Sequence, residues 1–179
     1  MSRRRIRVLG TAALGLVFLP TSCSGGGHDL PTASAVSAIK VTSSAVPEGD
    51  PIPTRFTCDG ADEAPPVEWS GASGDGPIVL VMTDPDANGF LHWLVYGLSG
   101  ASGTVGGDVA AGREGANDFG GAGYRGPCPP GGAAHHYVVT VYELDPGASI
   151  PAEPGASVDD VLTGKPSAQG SLTGTYERA

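Results

Sequence analysis

The feature that most limits how this chain can fold is a series of short β-branched and aromatic runs, each closed off by glycine or proline. They are Ile39-Lys-Val-Thr-Ser43, Val67-Glu-Trp69, Pro77-Ile-Val-Leu-Val-Met-Thr83, His92-Trp-Leu-Val-Tyr-Gly-Leu98, Tyr137-Val-Val-Thr-Val-Tyr-Glu-Leu144 and Gly170-Ser-Leu-Thr-Gly-Thr-Tyr-Glu-Arg178. Runs of this length, bounded by turn formers, read as strands. The last one alternates as a sheet-edge strand does. Gly 29 and Pro 16 are spread without a period, so neither a triple helix nor a repeat array is expected. Only Ser157-Val-Asp-Asp-Val-Leu-Thr-Gly164 reads as a helix. Ser157 would cap it, Asp159 and Asp160 would suit its positive end, and Gly164 would stop it. The expected fold is mainly β: antiparallel sheets in a sandwich or compact barrel, with long Gly/Pro loops and one or two short helices.

The N-terminal segment has a different character. Arg3, Arg4, Arg5 and Arg7 precede the apolar run Val8–Leu19, and Pro20-Thr-Ser-Cys23 follows. A basic head, an apolar middle and small residues before a cysteine describe an export signal over residues 1–22. The apolar run is shorter than the ~20 residues a membrane span needs. Thr21-Ser22-Cys23 resembles the bacterial lipobox, although Pro20 stands where a leucine is usual. That resemblance implies lipid attachment at Cys23 on the extracytoplasmic face of the cell membrane; a plain secretory signal and a retained anchor are the alternatives. Residues 23–37, rich in Gly, Ser, Thr and Ala, are expected to be a flexible tether, with His28 a solvated linker residue. Residues 38–179 then form one domain, long enough for one core.

Charge excludes one class of partner. The chain has 10 basic and 19 acidic side chains; losing the four arginines of the signal leaves 6 against 19, a formal −13. Such a surface repels phosphate backbones, and no basic patch offsets it, so nucleic acid is not an expected partner. If Cys23 carries lipid, Cys58 and Cys128 remain in an oxidising compartment, either as a disulfide or as two buried thiols.

Two segments concentrate the chemistry. Thr83-Asp-Pro-Asp-Ala-Asn-Gly-Phe-Leu-His-Trp93 is answered about thirty residues later by Tyr124-Arg-Gly-Pro-Cys-Pro-Pro-Gly-Gly-Ala-Ala-His-His-Tyr137. The second belongs to a long loop, Gly106 to Ala134, and long loops in compact domains are usually functional. Carboxylates, imidazoles, a phenol and exposed backbone N–H groups are what a small anion pocket uses. With side chains alternating along a strand, His136 is expected to face away from His135 and Tyr137.

These segments resemble the signature of the phosphatidylethanolamine-binding protein family, in its bacterial, Raf-kinase-inhibitor-like branch. The resemblance runs through Phe56–Trp69, Thr83–Ala87, His92-Trp93, Asn117–Gly120, Gly126–Pro130, His135–Leu144 and Leu172–Arg178, which is nearly the whole domain in order. It implies a small β-sandwich with a shallow pocket for phosphate or a phosphoryl head group. Asp84, Asp86, His92, Gly126, Pro127, Pro129, His135 and Tyr137 would line or shape that pocket. It also implies a non-enzymatic binding protein without a cofactor, whose partner is a small anionic or phosphorylated ligand. Some relatives inhibit kinases or proteases by contact, so a protein-interaction module is the alternative. A segment after Ala87 shorter than is usual in the family implies a differently shaped rim.

Other chemistries fit less well. Asp84, Asp86, His92 and His135 could in principle ligate a metal, but no His-x-x-His or His-x-His spacing supports one. No serine lies in a strand–turn–helix elbow, as a hydrolase would need. Cys128, flanked by Pro127 and Pro129, is poorly placed as a nucleophile.

Overall fold

The computed structural model describes residues 38–163 and 166–178. The expected signal, the tether with His28, Cys23, and the helix-stopping Gly164 lie outside the described residues. Eight strands and one turn of helix follow in order. They are β1 (Lys40–Thr42), β2 (Val67–Ser70), β3 (Ile78–Asp84), β4 (Phe90–Leu98), β5 (Ser102–Val105), β6 (Arg113–Glu114), β7 (His135–Leu144), α1 (Val158–Val161) and β8 (Pro166–Tyr176). Single 3-10 turns occupy Thr54–Phe56 and Pro85–Ala87.

The strands form two antiparallel sheets, one of three strands in the order β1-β2-β5 and one of five in the order β6-β4-β3-β7-β8. β3 is the centre of the larger sheet and is buried along its full length. Its run Ile-Val-Leu-Val-Met is therefore continuously apolar, because both faces are covered. Ile78, Leu80 and Met82 meet Val41, Val67, Trp69 and Val105 of the small sheet. Val79 and Val81 pack on the opposite face with Leu94, Tyr96, Tyr142 and the Val158 and Val161 of α1. A five-stranded sheet covered on both sides is a rigid floor for whatever stands at its ends.

α1 is shorter than its sequence suggests. Ser157 accepts from the Asp160 backbone N–H at 3.2 Å, and Asp160 reaches back to the Ser157 N–H at 3.3 Å, a reciprocal cap. β5 and β6 were not legible as strands: Ser-Gly-Thr-Val is short and carries a glycine, and Arg113-Glu114 is only a two-residue pairing with β4.

One buried carboxylate ties the sheet to a loop. Glu143 on β7 is 1% exposed and accepts from the Ser73 N–H, the Ser73 hydroxyl and the Gly74 N–H, each at 2.8 Å. Burial alone would raise its pKa, but these bonds outweigh it and hold the group below its ordinary value.

A cavity at the end of the large sheet

His92 owes its direction to an irregularity in β4. Met82 pairs with Trp93, but the next residue, Thr83, pairs with Leu91. His92 is the extra residue of a β-bulge, a device that re-aims a side chain. Its ring lies 5.2 Å from that of Tyr137, edge on. The bulge thus turns an imidazole toward β7 that regular alternation would have turned away. His92 is 3% exposed; its Nδ1 meets the Arg125 carbonyl at 2.8 Å, and its own carbonyl accepts from the Arg125 N–H at 3.1 Å. Burial lowers its pKa, against the opposing pull of the Arg125 carbonyl and the Asp84 charge.

Asp84 ends β3. One carboxylate oxygen caps the following 3-10 turn, accepting from the Ala87 N–H at 3.0 Å, and the other lies 2.7 Å from His135 Nδ1. Asp86, one turn on, instead accepts from both the backbone N–H (2.7 Å) and Nδ1 (2.9 Å) of His136. The His136 N–H is the main cause of the lowered Asp86 pKa. Consecutive histidines on a strand point to opposite faces. The inner one pairs with a buried aspartate and the outer one with an exposed aspartate. Tyr137, next inward, is 1% exposed. Its hydroxyl is buried and makes no well-formed hydrogen bond among the described residues, although the Asp84 carboxylate and the Cys128 backbone lie near it. Burial, and then the nearby Asp84 charge, raise its pKa, so it remains a phenol at neutral pH.

The opposite wall is the loop between β6 and β7. Asn117 organises its tip: the side-chain oxygen accepts from the Phe119 and Gly121 N–H groups at 3.1 and 3.2 Å, and the amide donates to the Gly123 carbonyl at 2.8 Å. Phe119 is thereby held outward, 45% exposed, edge on to Phe90 and His92 at 4.9 and 5.2 Å. Further along, the loop is sewn to residues 56–62. The Tyr124 hydroxyl donates to the Phe56 carbonyl at 2.6 Å, the Gly126 N–H to Asp62 at 2.7 Å, and the Cys58 N–H to the Pro127 carbonyl at 3.1 Å. Cys58 and Cys128 are joined as a disulfide with Cα atoms 5.4 Å apart. A Cβ on Gly126 would come within 2.8 Å of both Asp62 Oδ1 and Thr57 Cα, so only glycine fits this seam.

Between these walls lies a cavity of about 180 Å³. Of the residues expected from sequence, Asp84, His92, Pro129, His135 and Tyr137 line it. Asp86, Gly126 and Pro127 are not among its lining residues. Asp86 is held by His136 on the outer face, while Gly126 and Pro127 form the seam behind the wall. Ala87, Phe90, Phe119, Cys128 and Pro130 complete the lining. Of these, Phe90 and Phe119 were the ones sequence reasoning passed over. For Phe119 the available signal was a large apolar residue directly after Asn117-Asp118. Among the described residues, no lysine or arginine lines the cavity. Among the described residues, no three histidine, cysteine or acidic side chains converge as metal ligands.

The antiparallel two-sheet fold thus carries a histidine- and aspartate-lined cavity at one end of its larger sheet. The profile of the family described as "Phosphatidylethanolamine-binding protein" matches residues 42–177, and this chain belongs to that family. It is 38% identical over 191 residues to the "Putative lipoprotein LppC" of Mycobacterium tuberculosis, covering 94% of this chain and 95% of that one. A UPF0098 protein of Aquifex aeolicus is 39% identical, covering 81% of this chain and 92% of its own length. Among solved structures, a homologue of these proteins from Chlamydia trachomatis superposes with a TM-score of 0.69 at 32% identity, over 79% of this chain and 99% of that chain. Escherichia coli YbcL, described as a new member of the mammalian PEBP family, gives 0.67 at 28%, with the same coverage.

Proposed function

We propose that this protein is a non-enzymatic binding protein that holds a small anionic or phosphoryl head group in the cavity between β3, β4, β7 and the loop before β7. The observation that carries this reading is the convergence of His92, His135 and Tyr137 on one cavity, with a buried phenol that makes no well-formed hydrogen bond among the described residues. A buried unpaired hydroxyl costs about 1–3 kcal/mol, and a ligand oxygen would recover that cost. Asp84 acts through His135, fixing which ring nitrogen carries hydrogen. A volume of about 180 Å³ falls below the roughly 300 Å³ at which pockets begin to enclose a drug-sized molecule. The cavity therefore takes a head group, and the rest of the ligand lies across Phe90 and Phe119.

The test is equilibrium binding of phosphate-bearing small ligands to the parent and to a His92→Ala/His135→Ala double variant. The variant is expected to lose binding; equal affinity in the two proteins would remove this reading. Phe119, apolar and outward, also favours a second reading, in which the rim docks a protein. Capture of a partner that needs Phe119 but survives the histidine substitutions would select it.

The likeness to a protein named as a lipoprotein supports export and lipid anchoring at Cys23, with residues 1–22 removed. Cys23→Ser is expected to shift the protein from the membrane fraction to the soluble one, read by fractionation and by intact mass for the missing acyl groups. Retention in the membrane at unchanged mass would exclude that anchor.

A further inference from the structure

Backbone groups of a regular strand point alternately to its two sides. Along β4 that pattern holds from Leu94 back to His92, on the side of β6 and the loop that follows it. The Leu94 carbonyl accepts from the Gly115 N–H at 2.8 Å, and the His92 carbonyl from the Arg125 N–H at 3.1 Å. Regular alternation would then turn the groups of Leu91 toward β3. They point instead to the same side as those of His92. The Leu91 carbonyl accepts from the Asp118 N–H at 3.0 Å, and the Leu91 N–H donates to Asp118 Oδ2 at 2.7 Å. Both backbone groups of the residue at which the pattern slips are held by one aspartate.

A strand does not supply these bonds. β6 pairs with Val95 and Tyr96 and does not extend to Leu91, which is 2% exposed. A buried backbone group needs a partner, and the turn at Asn117-Asp118 provides it. The next residue, Phe119, meets the His92 ring edge on at 5.2 Å. One turn therefore holds the backbone beside His92 and backs its ring. Without that hold, β4 is free to return to regular alternation, which turns His92 away from Tyr137.

We propose that Asp118, itself outside the cavity lining, is a positioning residue of this site: by holding Leu91 it fixes the bulge that aims His92 into the cavity. Its effect on affinity rests on the phosphoryl-head-group reading above; the aim of His92 does not.

The imidazole reports its own position. Burial is the largest influence on His92 and lowers its pKa, while the Arg125 carbonyl, the Asp84 charge, the Gly126 backbone and the Asp118 charge pull upward. Released from the bulge, the ring gains water and its pKa rises toward the ordinary 6.5. With the bulge kept and only the Asp118 charge removed, the pKa falls further. Position and charge thus carry opposite signs.

The experiment compares the purified full chain with Asp118→Ala, with Asp118→Asn, and with Val41→Ala, a core truncation in the small sheet that serves as the control for lost stability. The His92 titration is followed by NMR, and binding of inorganic phosphate and of phosphorylethanolamine by calorimetry. The Asn oxygen can accept the Leu91 N–H in place of Oδ2, so Asp118→Asn is expected to stay within about threefold of the parent affinity and to lower the His92 pKa. Asp118→Ala is expected to lose at least about tenfold in affinity and to raise it. Should Asp118→Ala fail to fold, Asp118→Ser takes its place with the same expected signs, since its hydroxyl stops one bond short of Oδ2.

A His92 pKa that stays or falls in Asp118→Ala overturns the assignment. So does an Asp118→Asn variant that loses affinity as Asp118→Ala does, or a Val41→Ala variant that reproduces the Asp118→Ala changes. Absence of phosphoryl binding by the parent removes the functional reading alone, and the His92 signs still decide for or against Asp118.

Discussion

At the scale of single residues, the site trades stability for ligand contact most clearly at Tyr137. Its ring is part of the sandwich core, stacked edge on to His92, while its hydroxyl makes no well-formed hydrogen bond among the described residues. Tyr137→Phe keeps the ring and removes the unsatisfied group. We expect the variant to unfold at the same denaturant concentration as the parent or a higher one. Its affinity for a phosphoryl ligand should fall by roughly 10- to 100-fold, the worth of one hydrogen bond to a charged group. A large loss of stability with unchanged affinity would mean that the hydroxyl serves the fold. The same scale separates Asp84 from Asp86. They are two residues apart, yet one is 3% exposed and faces the cavity while the other lies at the surface. An exposed pair such as Asp86–His136 contributes little to stability.

At the scale of elements, the cavity wall depends on a connection distant in sequence. The disulfide joins residues 70 apart, and Cys128 itself lines the cavity. Closing a loop of that length stabilises the fold by about 4 kcal/mol in the chain-entropy account. Cys58→Ser/Cys128→Ser should therefore unfold at clearly lower temperature, and ligand affinity should fall further than in a surface variant of equal stability, because Pro129 and Pro130 lose their anchor. Calorimetric melting with and without ligand would show both effects. The bulge in β4 is the other element-level device, and it is what places His92 and Trp93 on the same side of the sheet.

At the scale of the whole molecule, acid stability has an identifiable contributor. The Glu143 pKa is depressed in the folded protein, so below its ordinary value of 4.5 the unfolded chain binds more protons than the folded one. The stability it contributes is complete above that value and disappears as pH falls through the folded pKa. Denaturation measured between about pH 6 and about pH 3 should show a steeper acid loss for the parent than for Glu143→Gln. The variant should be the less stable of the two at neutral pH, since it loses the charged acceptor that holds the Ser73–Gly76 loop. Parallel acid profiles would assign the effect to other carboxylates.

The sequence alone determined the strand runs, the mainly β class and the two segments that carry the chemistry, because strand propensity, turn formers and motif spacing are local properties written along the chain. Alternation along β7 also separated His135 and Tyr137 from His136. Tertiary structure decided the rest. A bulge is a property of pairing, so only β3 against β4 reveals which way His92 points. The disulfide, the seam at Gly126 and Pro127, and the Phe90–Phe119 rim depend on contacts between residues far apart in sequence, which spacing does not encode. The partners of His92 and His135 Nδ1 are likewise fixed only when β3, β4, β7 and the loop meet.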